Sequence, residues 1–191
     1  FTKYKAFFLI TNDTVIEDKK TLKKLYSILL KNKKIGILSP CSKKWGENKL
    51  LKKNSIKFSW YIHNHAYLLN KELLLKIINP SSGYKKFLYD GSNFRGYGLE
   101  SELIAKAYAN NFAAAITNKV FLEENEDYLL NHADLIKTDN YSKNQRLYYE
   151  EGLKWMRKKY GFSNKWLLQD YVKLFYDNFF INYPELKKYK L

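Results

Sequence analysis

The sequence predicts an α/β fold, and three observations carry that reading. Residues 6–10 and 35–38 are short apolar runs, and between them Leu22, Leu25, Ile28 and Leu29 recur at helical spacing. Strand, helix and strand in this order form an α/β unit. Beyond about residue 139 the character changes: residues 141–191 hold 14 aromatics and 11 Lys or Arg, which predicts a helical extension.

The first strand, Ala6 to Ile10, ends at Thr11-Asn12-Asp13-Thr14, so polar groups stand at its C-terminal end. Thr21 is placed to cap the helix over roughly 22–32. Ile35 to Leu38 is the second strand, stopped by Ser39-Pro40. A polar loop over 41–55 follows, then Ile56 to Leu69, whose aromatic and β-branched content predicts a strand. Lys71 to Ile78 is a short helix, stopped at Asn79-Pro80. Leu88-Tyr89-Asp90 enters a Gly-rich loop over 91–98, and Leu99 to Asn110 is a helix with acidic residues in its first turn. Phe112 to Phe121 is expected as the last strand. Tyr141 to Tyr160 is a helix ended by Gly161; Ser163 caps the next, to about Phe180, and Pro184 begins a basic tail.

The 191 residues suit one ordinary domain, and 46% apolar content supplies a core. Lys+Arg 34 against Asp+Glu 19 gives a net charge of +15, a balance that favours polyanionic partners. Only Arg95, Arg146 and Arg157 are arginines, which argues against nucleic-acid recognition, where bidentate arginines read bases and clamp phosphates. The single Cys41 excludes an internal disulfide and a zinc site built on cysteines. No apolar run reaches the length of a membrane span. The opening at Phe1, directly before an apolar strand, suggests a piece of a longer protein.

Two segments carry the candidate chemistry. In Thr11-Asn12-Asp13-Thr14, Asp13 stands at a sheet's C-terminal edge, where ligands bind in open α/β sheets; it either holds a hard divalent cation or, with Asn12, caps the turn. In Tyr89-Asp90 … Phe94-Arg95-Gly96-Tyr97-Gly98-Leu99-Glu100-Ser101-Glu102-Leu103, Glu100 and Glu102 open a helix beside glycines. They are either favoured by the helix dipole alone or available to take a proton from an attacking hydroxyl. His63 and His65 share a strand face, but sequence alone offers no third ligand, so a pocket-lining role beside Trp60 or a half-buried strand position is expected instead. Cys41 is expected to be inert.

Together the segments resemble, over roughly residues 5–125, the C-terminal half to two-thirds of family 2 glycosyltransferases of the GT-A fold, especially the bacterial rhamnosyltransferase-like branch. Thr11 and Asp13 match a D-x-D-like element, and Ile35-Gly36-Ile37-Leu38-Ser39-Pro40 matches an I-G-I-x-x-P strand. Tyr89-Asp90 and Gly96-Tyr97-Gly98-Leu99-Glu100-Ser101-Glu102-Leu103 match F-D … F-x-G-Y-G-x-E-D-x-D-L. The resemblance implies a partial GT-A domain over 1–139, a Rossmann-like mixed sheet with flanking helices, and a helical, basic and aromatic extension over 140–191.

It further implies an inverting enzyme that moves a sugar from a nucleotide-diphosphate donor to a hydroxyl of a glycan or lipid-linked acceptor. Thr11, Asn12 and Asp13 would bind the donor side, with Mg²⁺ or Mn²⁺ on Asp13. Glu100 would be the general base and Glu102 the competing assignment. Trp60, His65, Asp90 and Arg95 would shape the acceptor side. The chain departs from the pattern at Thr11, which replaces a carboxylate, and near Leu122, where the family often has a histidine; His132 would serve only if its loop folds back. The family's nucleotide-binding front part lies outside this sequence. The expected location is cytoplasmic, peripheral at the inner membrane face through Trp166, Leu167, Tyr171, Leu174, Phe175 and Phe179 beside Lys165 and Lys173, unless that stripe docks on the domain itself. The alternatives are a non-enzymatic basic α/β module on nucleic acid or anionic membrane, and a degenerate transferase fragment that pairs with a partner subunit.

Overall fold

The computed structural model describes residues 3–11, 13–44, 46–63, 65–78, 88–89, 91–125, 127 and 140–191. In chain order, β1 (Ala6–Ile10), β2 (Thr14–Val15), α1 (Thr21–Lys31), β3 (Ile35–Cys41), α2 (Glu47–Leu50), β4 (Ile56–Phe58), β5 (Ala66–Asn70) and α3 (Lys71–Ile77) form the first part. There follow α4 (Leu99–Ala109), β6 (Ala113–Phe121), β7 (Glu123–Glu124), α5 (Tyr141–Tyr160), α6 (Lys165–Asn182) and a 3-10 helix over Pro184–Tyr189. The fold is of the α/β class, with a five-stranded mixed sheet in the order β1-β5-β3-β6-β4. β3 and β6 run parallel, and the other neighbouring pairs are antiparallel.

Several boundaries differ from the sequence expectation, each for a local reason. β3 does not stop at Ser39-Pro40 but continues to Cys41. Proline has no N–H for a ladder, and the β3–β6 register shifts between Pro40 and Cys41, where the missing donor is tolerated. The strand expected over 56–69 divides into β4 and β5 because Ser59 Oγ accepts from Tyr61 N–H and donates to the Tyr61 carbonyl, closing a turn. A one-turn helix, α2, occupies part of the expected 41–55 loop, and β7 follows the strand expected to be last.

Thr21 is not a cap. It is the first helical residue, buried with Leu25, Ile28 and Leu29, while Leu22 is exposed. Asn164, not Ser163, caps α6, its side chain accepting from Leu167 N–H at 3.0 Å.

β3 is buried along its whole length, so the centre of the sheet is covered on both faces. The apolar face of α1 packs on β3 and β6, and α4 packs between the sheet and α6. Val172, Tyr176, Phe179 and Phe180 of α6 belong to the same core as the sheet, each such side chain contributing about 1.5–3 kcal/mol through burial. The Tyr176 hydroxyl donates to the Phe58 and Leu191 carbonyls, and the Leu191 N–H pairs with the Phe58 carbonyl, so the chain end is tied to β4. Residues 140–191 thus build the core as well as extend it. Trp155, Met156 and Leu168 form a smaller cluster with Tyr97 and Leu99, which seats the Gly-rich loop on α5 and α6.

Candidate functional site

The turn after β1 is sewn to the start of β5. Thr11 N–H donates to the His65 carbonyl at 2.9 Å, and the Thr14 and Thr11 hydroxyls donate to the same oxygen at 2.9 and 3.3 Å. Thr11 Oγ1 and Thr14 Oγ1 also pair at 2.9 Å, so the Thr11 hydroxyl is already engaged. The Asp13 carbonyl accepts from Asn125 N–H, and Thr14 lies opposite Glu124 in the β2–β7 ribbon. Side chains alternate along a strand, and the two glutamates of β7 divide accordingly. Glu123 accepts from Ser42 Oγ and Lys43 N–H, while Glu124 lies at His63.

Nδ1 of His63 lies 3.2 Å from Nδ1 of His65 and 3.6 Å from Glu124 Oε1. One ligand atom from each residue fits within a 4.8 Å cluster. The third ligand that the sequence does not offer beside the two histidines is therefore supplied from β7. Burial lowers His63 to about 4, assisted by His65 and Lys165 and opposed by Asp13. Burial likewise lowers His65 to about 4, against Glu123. Both imidazoles are neutral at neutral pH, the state in which they bind metal.

Glu100 sits in the first turn of α4, only 2% exposed. The helix starts at Gly98, whose φ of +86° is the left-handed conformation and whose carbonyl accepts from the Ser101 and Glu102 N–H groups. Lys165, the first residue of α6, places Nζ 2.5 Å from Glu100 Oε1. Oε2 has no hydrogen-bond partner among the described residues. Tyrosines surround the carboxylate: burial first, then the Glu100 charge, raises the hydroxyls of Tyr67, Tyr89 and Tyr148 above their ordinary value. Tyr61 is raised by burial and held down by Lys165, and it senses Glu47, Glu100 and Glu124 together. The charges of positions 13, 124, 165 and 100 thus act on neighbouring groups of one region, although they lie far apart in the chain.

Two cavities are lined by neighbours of Glu100, one by its ion-pair partner Lys165 and the other by Leu99. One of about 650 Å³ is lined by Trp60, Tyr61, Tyr97, Leu153, Lys165 and Trp166 among others. The other, of about 300 Å³, is lined by Thr11, His65, Tyr67, Tyr89, Gly96 and Leu99 among others. Tyr97 is fixed by a close approach to α5. A Cβ on Gly152 would meet Tyr97 Cβ at 2.5 Å, so only glycine fits in mid-helix there, and Tyr148 and Tyr149 pack edge-on to the same ring.

The structure brings Thr11, Asp13 and His65 to one turn, and Trp60 to the larger cavity. Trp60 packs on Tyr176 with ring centroids 5.2 Å apart. Arg95 is committed elsewhere. Its guanidinium pairs with Glu151, its Nε donates to Asn144 at 2.9 Å, and its backbone N–H donates to Glu151, so it staples the Gly-rich loop to α5.

Glu102 is held through Oε1 by Lys159 Nζ at 2.5 Å and the Tyr160 hydroxyl at 2.8 Å. Asn12, Asp90 and His132 lie outside the described residues. Leu122 is buried core, and the nearby acid is Glu124. Cys41 is buried, and burial pushes its thiol up to about 12, which leaves it unreactive.

On α6, Phe179 is buried, while Trp166, Leu167, Leu174 and Ile181 are exposed. No helix among the described residues is long and apolar enough to cross a membrane. Compared with protein-family models, curated proteins and solved structures, the chain has no match.

Sequence reasoning missed Glu124, Lys165 and the tyrosines around Glu100. A signal for the first existed in the Glu123-Glu124 pair directly after the β6 strand. Lys165 gave none, because its role depends on where α6 docks.

Proposed function

We propose that the chain transfers a sugar from a nucleotide-diphosphate donor to a hydroxyl of a glycan or lipid-linked acceptor, with inversion. The observation that carries this reading is the Glu100 carboxylate: buried, paired through Oε1 with Lys165 of the larger cavity's lining, and with Oε2 lacking a hydrogen-bond partner among the described residues, as Glu102 Oε2 also does. A buried carboxylate oxygen without a partner costs stability, and an acceptor hydroxyl would satisfy it. In that position Glu100 Oε2 takes the hydroxyl proton as the oxygen attacks the anomeric carbon. Lys165 holds the other oxygen and fixes the carboxylate's orientation. Trp60, Tyr61 and Tyr97 offer ring faces to the C–H surfaces of a sugar.

Asp13 would be the carboxylate to hold a divalent cation, which when bound would supply positive charge to the departing diphosphate; the cluster of three ligating side chains among the described residues, His63, His65 and Glu124, does not include it. The bonds that join Thr11 and Thr14 to His65 hold that carboxylate's turn in place. Glu102, clamped by Lys159 and Tyr160, positions the start of α4. The test is a donor screen on a chain that includes these 191 residues, with and without added metal, followed by NMR of the product's anomeric configuration. Donor-dependent transfer with an inverted anomer supports the reading, and no turnover with any nucleotide sugar opposes it.

A second reading, binding of a polyanion, is favoured by a cavity of about 650 Å³ along α1 that Lys20, Lys23, Lys24, Lys31 and Lys119 line. It predicts affinity for polyphosphate or nucleic acid that falls steeply with salt and does not depend on sugar nucleotides.

A further inference from the structure

We infer that His63, His65 and Glu124 form a binding site for one borderline divalent transition cation, of the Zn²⁺ or Co²⁺ type, rather than for Mg²⁺. The inference rests on these three side chains and stands whether or not the chain transfers sugars.

The spacing fits. In a tetrahedral site with metal–ligand bonds of about 2.0–2.2 Å, neighbouring ligand atoms stand roughly 3.3–3.5 Å apart. The two Nδ1 atoms are 3.2 Å apart, and His63 Nδ1 is 3.6 Å from Glu124 Oε1. Two Nδ1 atoms facing each other share at most one proton as a hydrogen bond; a cation between them uses both lone pairs.

The surroundings fit as well. His65 is 1% exposed, and its Nε2 has no hydrogen-bond partner among the described residues. The Nδ1 atom of that ring is the one turned to His63. Glu124 brings a carboxylate to the cluster, and the charges of Lys165 and Asp13 act on His63 in opposite directions. His63 and Glu124 keep 14% and 17% of their side-chain surface exposed, which leaves an entry path.

Donor chemistry selects the ion. Imidazole nitrogen suits zinc, cobalt and their neighbours, whereas Mg²⁺ demands oxygen donors in near-octahedral array. Three protein ligands leave a tetrahedral ion one open position, the arrangement of sites that accept an outside oxygen ligand.

The test is metal binding alone, with no nucleotide present. Isothermal titration of the metal-free protein with ZnCl₂, CoCl₂ and MgCl₂ should give one Zn²⁺ per chain, bound at least about a hundredfold more tightly than Mg²⁺. Bound Co²⁺ should show the visible absorption of a four-coordinate ion. Glu124→Gln and His63→Asn, which alter partly exposed side chains, should each weaken Zn²⁺ at least about tenfold with unchanged circular dichroism. His65→Ala should do the same if it folds, and the other two variants decide the matter if it does not. Zinc affinity equal to that for Mg²⁺, or equal in the wild type and in both Glu124→Gln and His63→Asn, overturns the site. Zinc binding in a chain that transfers no sugar leaves this inference standing and removes the transferase reading instead.

Discussion

Lys165 and Glu100 form a buried ion pair, Nζ to Oε1 at 2.5 Å, that joins the first residue of α6 to the first turn of α4. The carboxylate is almost wholly removed from water and the ammonium only partly so, with 21% of its side chain exposed. The helix that completes the core also supplies the counter-charge of the candidate base.

Removal of one partner of such a pair leaves a buried charge uncompensated, at about 3–5 kcal/mol for full burial. Because part of Lys165 reaches water, Lys165→Ala should cost about 2–3 kcal/mol, read as a lowered urea midpoint. Glu100→Gln in the same chain should recover part of that loss. The double-mutant cycle should give a coupling of about 0.5–3 kcal/mol, and additive effects would show that the pair contributes nothing.

Gly152→Ala tests how Tyr97 is held. Alanine favours a helix by about 0.5–1 kcal/mol over glycine, so an exposed site would gain. Here the new Cβ would fall 2.5 Å from Tyr97 Cβ, and overpacking costs about 1–3 kcal/mol. Thermal denaturation should show a net loss, whereas a raised midpoint would mean that the ring moves aside freely.

Stability should depend on acid through the two histidines. Both have folded-state values near 4, below the ordinary value of 6.5, so between these limits the unfolded chain binds more protons. Their contribution is complete above about 6.5 and is lost as the pH falls toward about 4, each histidine giving at most about 1.4 kcal/mol per unit. The charged groups that act on them or face them are Asp13, Glu123, Glu124 and Lys165. Denaturant titrations of wild type and a His63→Asn variant should differ in slope there, with the variant flatter; parallel curves would contradict the burial of His63.

The local elements were legible in the sequence. The apolar run of β1, the amphipathic α1 and the Gly-bounded α5 depend on neighbours in the chain, and Tyr141–Tyr160 matches expectation to the residue. Boundaries set by single polar atoms were less so: Asn164 rather than Ser163 caps α6, and Ser59 breaks the expected long strand. At the site, the positions of Asp13 and Glu100 followed from a strand end and a helix start. Glu124 and Lys165 did not, because β2–β7 pairing and the docking of α6 are contacts between distant segments. The partners of Arg95 were hidden for the same reason, since Glu151 and Asn144, which engage it, lie on α5.

The proposed sugar transfer requires Glu100, rather than Glu102, as its base, with Asp13 on the donor side. The direct measurement is turnover of Glu100→Gln and Glu102→Gln in the donor-dependent transfer assay, with folding checked by circular dichroism. Glu100→Gln should lose at least about a hundredfold in kcat, while Glu102→Gln, which loosens the clamp of Lys159 and Tyr160, should lose stability first. A Glu100→Gln chain that turns over like the wild type would remove Glu100 from that role.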